Sequence, residues 1–262
     1  MEDASARRMA LSALTKVGTR GNARAAAAVS ACLGDAAADT RVAAVGALAA
    51  VAERGDASAV AAICARLEDT ADSVRGAVPS ALGNLVEKGD AQAIATISGC
   101  LEVRAVATRM AALWSLASVA RIGDEGIIRT ICNYMSDAAP QVRHVALMSL
   151  TRVVERGNAQ AIAKISACLV DSSAEVRYAA VQGVAGVAEK GDTPTIAALR
   201  ECLDDQAVGV RYAAVKALAK LADRGDKRAI DAISASRGDS NASVRDMASQ
   251  ALSGMISKRR LQ

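Results

Sequence analysis

The stretch AEVRYAAVQGVAGVAEKGD, residues 174–192, returns at 208–226 as VGVRYAAVKALAKLADRGD. Stepping its arginine through the chain by 34 residues gives Arg7, Arg41, Arg75, Arg109, Arg143, Arg177, Arg211 and Arg245 without a gap. Fourteen residues after each of the first seven stands a glycine: Gly21, Gly55, Gly89, Gly123, Gly157, Gly191 and Gly225. The next residue is always Asn or Asp, namely Asn22, Asp56, Asp90, Asp124, Asn158, Asp192 and Asp226. A period of this length marks a supersecondary unit repeated in an array, whose neighbours must stack to bury a continuous core.

Composition makes the unit helical. Of 262 residues 52% are hydrophobic, yet Phe is absent and aromatics are only 2%. Ala, Val, Ile and Leu suit thin layers of closely packed helices, and Ala has the highest helix propensity. Apolar residues recur at helical spacing between arginine and glycine, as in Val142, Ala146, Leu150 and Val153. Gly157 then supplies the left-handed conformation expected to end that helix. Asn158 caps the next by accepting its free amides. That second helix carries Ile162, Ile165 and Leu169 on one face, and a turn beginning at Asp171 leads into the next EVRYAA segment. The spacing predicts fifteen helices: a lone one in 1–20, then pairs in 21–54, 55–88, 89–122, 123–156, 157–190, 191–224 and 225–258, with a tail at 259–262.

These features resemble the HEAT repeat family, especially the short HEAT-like units also found in phycobilin lyases. The resemblance is carried by the turn aspartate and the arginine six residues later: Asp35 and Arg41, Asp69 and Arg75, Asp137 and Arg143, Asp171 and Arg177, Asp205 and Arg211, Asp239 and Arg245. It covers nearly the whole chain and implies an all-α fold, a right-handed α-solenoid of stacked antiparallel helix pairs. In that family the two residues form a hydrogen-bonded ladder between successive repeats. A tetratricopeptide array shares the period, but its bulky Trp/Leu/Gly/Tyr signature is missing here. One turn departs from the pattern: Val103 replaces the aspartate while Arg109 remains, so that rung is expected to lack its acceptor. Drift at a tolerant turn and a functional reason both remain open as explanations.

The common catalytic chemistries find no support. His144 is the chain's single histidine, too few for the His–Glu pairs of a HEAT-fold di-iron hydroxylase. There is no nucleophile elbow and no glycine-rich phosphate loop. The chain reads as non-catalytic, with no cofactor and no metal. Cys32, Cys100, Cys168 and Cys202 share one repeat position, and Cys64 and Cys132 another, two residues earlier. Packed helices lie about 8–10 Å apart, beyond the Cα separation a disulfide allows, and no C-x-x-C pair offers zinc spacing. Free packing thiols point to a reducing intracellular compartment, the cytoplasm first and an organelle second. No run of apolar residues is long enough to span a membrane. The opening MEDASARRMALSALTKVG is too acidic and too interrupted for a secretory peptide, and the cations of the tail SKRRLQ complement the carbonyl end of the last helix.

Function is sought where the repeat fails to repeat. The residue after each arginine runs Arg8, Val42, Gly76, Met110, His144, Tyr178, Tyr212, Asp246; four residues on, the row is Ser12, Gly46, Ser80, Trp114, Met148, Gln182, Lys216, Gln250. Both rows lie nearly opposite the Val142/Leu150/Val153 face, so they are expected to be exposed. By resemblance to HEAT arrays this helix lines the concave surface. Arg121 breaks a further row whose usual residue is acidic, at Glu53, Glu87, Glu155, Glu189 and Asp223. Met110, Trp114, Arg121, His144, Met148, Tyr178 and Tyr212 therefore form the expected partner-binding set, built from types enriched in binding hot spots. The reading is an interaction scaffold that holds another protein in the concave groove, alone or within a larger complex. Two alternatives stand beside it. Nucleic acid is disfavoured because the row is mostly acidic, although a formal charge of +4 leaves it open. A phycobilin-lyase-type subunit rests on fold analogy.

Overall fold

The computed structural model describes residues 4–256, so the tail at 259–262 lies outside the described residues. Fifteen α-helices follow one another and no strand occurs among the described residues. They are α1 (Ala4–Val17), α2 (Ala23–Ala31), α3 (Ala38–Val51), α4 (Ala57–Cys64), α5 (Asp72–Leu85), α6 (Ala91–Gly99), α7 (Val106–Val119), α8 (Glu125–Asn133), α9 (Pro140–Val153), α10 (Ala159–Ala167), α11 (Ala174–Val187), α12 (Thr193–Glu201), α13 (Val208–Leu221), α14 (Lys227–Ala235) and α15 (Ala242–Ile256). Each short even-numbered helix tightens into a single 3₁₀ turn before the next long one.

The chain divides into two compact units, Met1–Ile131 and Cys132–Gln262. In the first, α1, α3, α5 and α7 stack in order, with α2, α4 and α6 as a second layer. In the second, α9, α11, α13 and α15 stack in the same way beside α10, α12 and α14. The core is aliphatic: Val142, Ala146, Leu150, Val176, Val184, Val210 and Leu218 are all at most 1% exposed. Small residues let the layers close. A Cβ on Gly183 would come within 2.9 Å of Leu147 and 3.1 Å of Thr151, so α11 meets α9 there through bare backbone.

The hairpin differs in detail from a glycine-ended helix. The long helix α9 stops at Val153, and Val154 is already extended, with ψ 148°. Gly157 follows as the third residue of a separate turn in which Glu155 accepts from the amide of Asn158. Its φ of +81° is what a type II turn requires at that position. Asn158 then caps α10 by accepting from the Ala161 amide at 2.9 Å. The glycine amide has a further use, because it points into the next repeat. Gly157 donates to Val187 at 2.7 Å and Gly191 to Leu221 at 2.7 Å, satisfying the last carbonyls of α11 and α13. The first unit makes the same bond from Gly55 to Leu85 and from Gly89 to Val119.

Candidate functional site

Stacked repeats are joined by an arginine–aspartate ladder whose register differs from the sequence expectation. Arg41 does not take the Asp35 carboxylate six residues before it. Its Nε and Nη2 donate to both carboxylate oxygens of Asp69, 28 residues ahead, at 2.8 and 2.7 Å. Its Nη1 donates instead to the backbone carbonyl of Asp35 at 2.8 Å. The Asp69 carboxylate also accepts from the Ala71 amide at 2.9 Å, which fixes the turn before α5. The same forked rung joins Arg7 to Asp35, Arg143 to Asp171, Arg177 to Asp205 and Arg211 to Asp239. Bidentate, charge-assisted pairs of this kind are strong and directional. The Arg143 and Asp171 side chains keep only 12% and 11% exposure. Each arginine hydrogen bond holds its aspartate below the usual carboxylate range, and Arg211 draws Asp239 down to about 2.

This register moves the consequence of Val103. The residue 28 positions before it is Arg75, so Arg75 loses an acceptor rather than Arg109. Arg75 turns its guanidinium to Asp72 on its own helix and donates from Nη1 to the Asp69 carbonyl. Arg109 keeps its inner bonds, to the carbonyls of Val103 at 3.1 Å and Arg104 at 2.7 Å, because valine supplies a backbone oxygen as well as aspartate does.

The variable face is less open than helical periodicity suggested. In the first unit Met110 and Trp114 on α7 are half-buried. Arg121 is committed to the preceding turn: its Nε donates to the Lys88 carbonyl at 2.8 Å, and the side chain covers Gly89 so closely that a Cβ there would lie 2.6 Å from that nitrogen. In the second unit His144 and Met148 on α9 and Tyr212 on α13 are half-buried, while Tyr178 on α11 is 37% exposed. Within each unit the next repeat reaches this face: Arg8 meets Asp39 at 3.3 Å in the first, and the Tyr178 ring lies over Gly209 in the second. A helical wheel of one helix omits that neighbour. His144 Nδ1 is enclosed without a hydrogen-bond partner. Glu155, Glu189 and Asp223 remain exposed beyond the helix ends, with Glu189 over Gly157 and Asp223 over Gly191.

The cysteines are packing residues. All six are free thiols. The Sγ of Cys32, Cys100, Cys168 and Cys202 each donates to the carbonyl four residues back, at the head of the 3₁₀ turn. Burial pushes the Cys64 thiol up to about 12 and Cys202 up to about 11. Among the described residues no group of three or more His, Cys, Asp or Glu could hold a metal ion, and no helix is long and apolar enough to cross a membrane.

Stacked helix pairs joined through forked rungs and glycine-amide links define a helical-repeat scaffold. The family model described as HEAT repeats matches residues 104–185, 128–205 and 163–253, together more than half of the sequence. The chain belongs to the HEAT repeat family. Solved structures repeat the architecture at low identity. The X-ray structure of the Escherichia coli protein YibA is 17% identical with TM-score 0.62, over 96% of this chain and 88% of that one. A designed armadillo repeat protein in complex with the peptide (KR)4 is also 17% identical, with TM-score 0.53, over 75% of this chain and 99% of that one. No curated protein sequence matches.

Proposed function

We propose that the protein is a non-catalytic scaffold that binds another protein along the variable face of its long helices. The observation that carries this reading is the distribution of large side chains. The chain's single Trp, its single His and two of its three Tyr fall in two rows on that face, while the structural positions around them hold Ala, Val and Leu. Met110 and Trp114 form the contact region of the first unit; His144, Met148, Tyr178 and Tyr212 form that of the second. Half-burial suits this role, because a side chain already braced by its neighbour loses little further freedom on binding. The designed armadillo repeat protein, in complex with the peptide (KR)4, is a precedent for an array of similar fold holding a polypeptide.

The test compares wild type with a Trp114→Ala/Tyr178→Ala variant in affinity capture from the source lysate, followed by binding measurements on the captured partner. Truncating a hot-spot aromatic should cost about 2 kcal/mol, roughly a thirtyfold loss of affinity. Ser12→Ala and Gln250→Ala, at equivalent repeat positions, should cost little. Undiminished binding by a double variant that melts like wild type would remove the face from the interaction.

A further inference from the structure

Arg152, Gly186 and Lys220 occupy one repeat position on α9, α11 and α13, which stack in that order in the second unit. All three are exposed. A Cβ on Gly186 would meet nothing within 4 Å, so the last turn of α11 presents bare backbone with open space above it. Long cationic side chains flank that gap, Arg152 on one side and Lys220 on the other. Lys216 adds a third exposed cation one turn back on α13, where α11 carries Gln182. Like charges at i and i+4 on a helix repel, and neither lysine has an ion-pair partner among the described residues.

Helix termination does not account for these charges. Arg152 and Lys220 lie in the last turns of α9 and α13, where a cation favours the carbonyl end. Yet α3, α5, α7 and α11 end without any basic residue in that turn. Carboxylates of the same unit are directed elsewhere. Those of Glu189 and Asp223 fold back over Gly157 and Gly191, in the turns of the preceding repeats. Glu175, at the other end of α11, is about 16 Å of helix away from Gly186. One to two turns nearer the N-termini of the same three helices stand Met148, Tyr178 and Tyr212. A cationic track therefore lies beside an apolar, aromatic one.

We propose that the second unit binds a short acidic segment of its protein partner, with one Asp or Glu carboxylate seated over Gly186 between Arg152 and Lys220. The apolar residues next to that carboxylate pack on Met148, Tyr178 and Tyr212. This rests on the use of the long-helix face for a protein partner and adds the partner's chemistry. Helices packed about 8–10 Å apart place three of them within a span of about 16–20 Å, which five or six extended residues cross at about 3.3 Å each. Nucleic acid suits the face less well. A phosphate backbone would carry its charge continuously past the exposed Glu155, Glu189 and Asp223, whereas a peptide of alternating acidic and apolar residues confines charge to the seat.

The full chain would be titrated with rhodamine-labelled hexapeptides, reading anisotropy: one of alternating Asp and Leu, and its Asn and Leu analogue. The acidic peptide is expected to bind saturably and about tenfold or more tightly than the analogue, the effect of one well-made charge contact. Lys220→Glu should remove that preference. Gly186→Gln should remove it too while the melting temperature holds or rises, because glutamine fills the seat and is a better helix former than glycine. Should Lys220→Glu fail to fold, Gly186→Gln alone decides. Equal binding of both peptides, weakened alike by Tyr178→Ala, would overturn the seat and leave the aromatic face standing. No saturable binding of the acidic peptide would overturn the seat, as would tighter, Lys220-dependent binding of a thymidine hexanucleotide. Binding that none of the three variants weakens would overturn seat and face together.

Discussion

Replacing Val103 with aspartate should rebuild the missing rung. The new carboxylate would stand where Asp69 stands one repeat earlier, able to take Nε and Nη2 of Arg75 and the amide of Ala105. Hydrogen bonds to charged groups contribute about 1.5–3 kcal/mol net. Two terms oppose this. Arg75 must leave Asp72, whose side chain is 92% exposed, so that pair is worth no more than about 1 kcal/mol. The partly buried valine also gives up some apolar contact, a fraction of the ~1.5 kcal/mol that full burial would bring. A net gain of about 1 kcal/mol remains, which for a domain near this size raises the melting temperature by about 2–4 °C. Circular dichroism at 222 nm during urea and thermal unfolding measures it, and a second comparison identifies the arginine. Asp72→Ala should destabilise wild type slightly and leave Val103→Asp unchanged, because Arg75 has by then moved to the rung. If Val103→Asp melts at or below wild type, or Asp72→Ala costs the same in both backgrounds, Arg75 does not turn to the new acceptor and the forked register fails at this junction.

The other rungs predict an acid limit to stability. A carboxylate whose folded pKa lies below its unfolded value stabilises the fold above the unfolded value and ceases to as pH falls through the folded one. With Asp239 drawn from 3.8 to about 2, and Asp69, Asp171 and Asp205 lowered in the same direction by their arginines, stability should fall between about pH 4 and 2. Arg211→Gln should flatten part of that slope in a pH series of urea midpoints. Thiol titration after denaturation without reductant should find six free cysteines, and in the native protein Cys64 should be among the slowest to react, because burial disfavours its thiolate. Gly157→Ala and Gly225→Ala both place a side chain at φ +81°, at a cost of about 1–2 kcal/mol. Only at Gly157 would the new Cβ meet the Glu189 carboxylate at 2.9 Å, whereas nothing lies within 4 Å at Gly225, so Gly157→Ala should lower the urea midpoint further.

The repeat, the helix pairs and the caps were legible because each follows from local rules: a 34-residue period, helical apolar spacing, and Asn or Asp after glycine. The ladder's register was not legible, for an arithmetic reason. In a strict 34-residue repeat, the aspartate six before an arginine and the one 28 after it occupy the same repeat position. Sequence therefore offers both partners equally. Three dimensions choose between them, because the aspartate six before presents only its carbonyl to Nη1, while the next repeat's carboxylate lies across Nε and Nη2. The exposure of His144, Met148 and Tyr212 was overestimated for a related reason: periodicity within one helix does not include the helix stacked beside it.

Arg75 shows how an irregularity inside an array is contained. It lacks the aspartate 28 residues ahead that pairs Arg7, Arg41, Arg143, Arg177 and Arg211. Arg75 lies between stacked helices, where an unpaired guanidinium would be costly, and Asp72 neutralises it from within its own helix. A defect inside the stack is thus repaired by a residue of the same helix, one turn away.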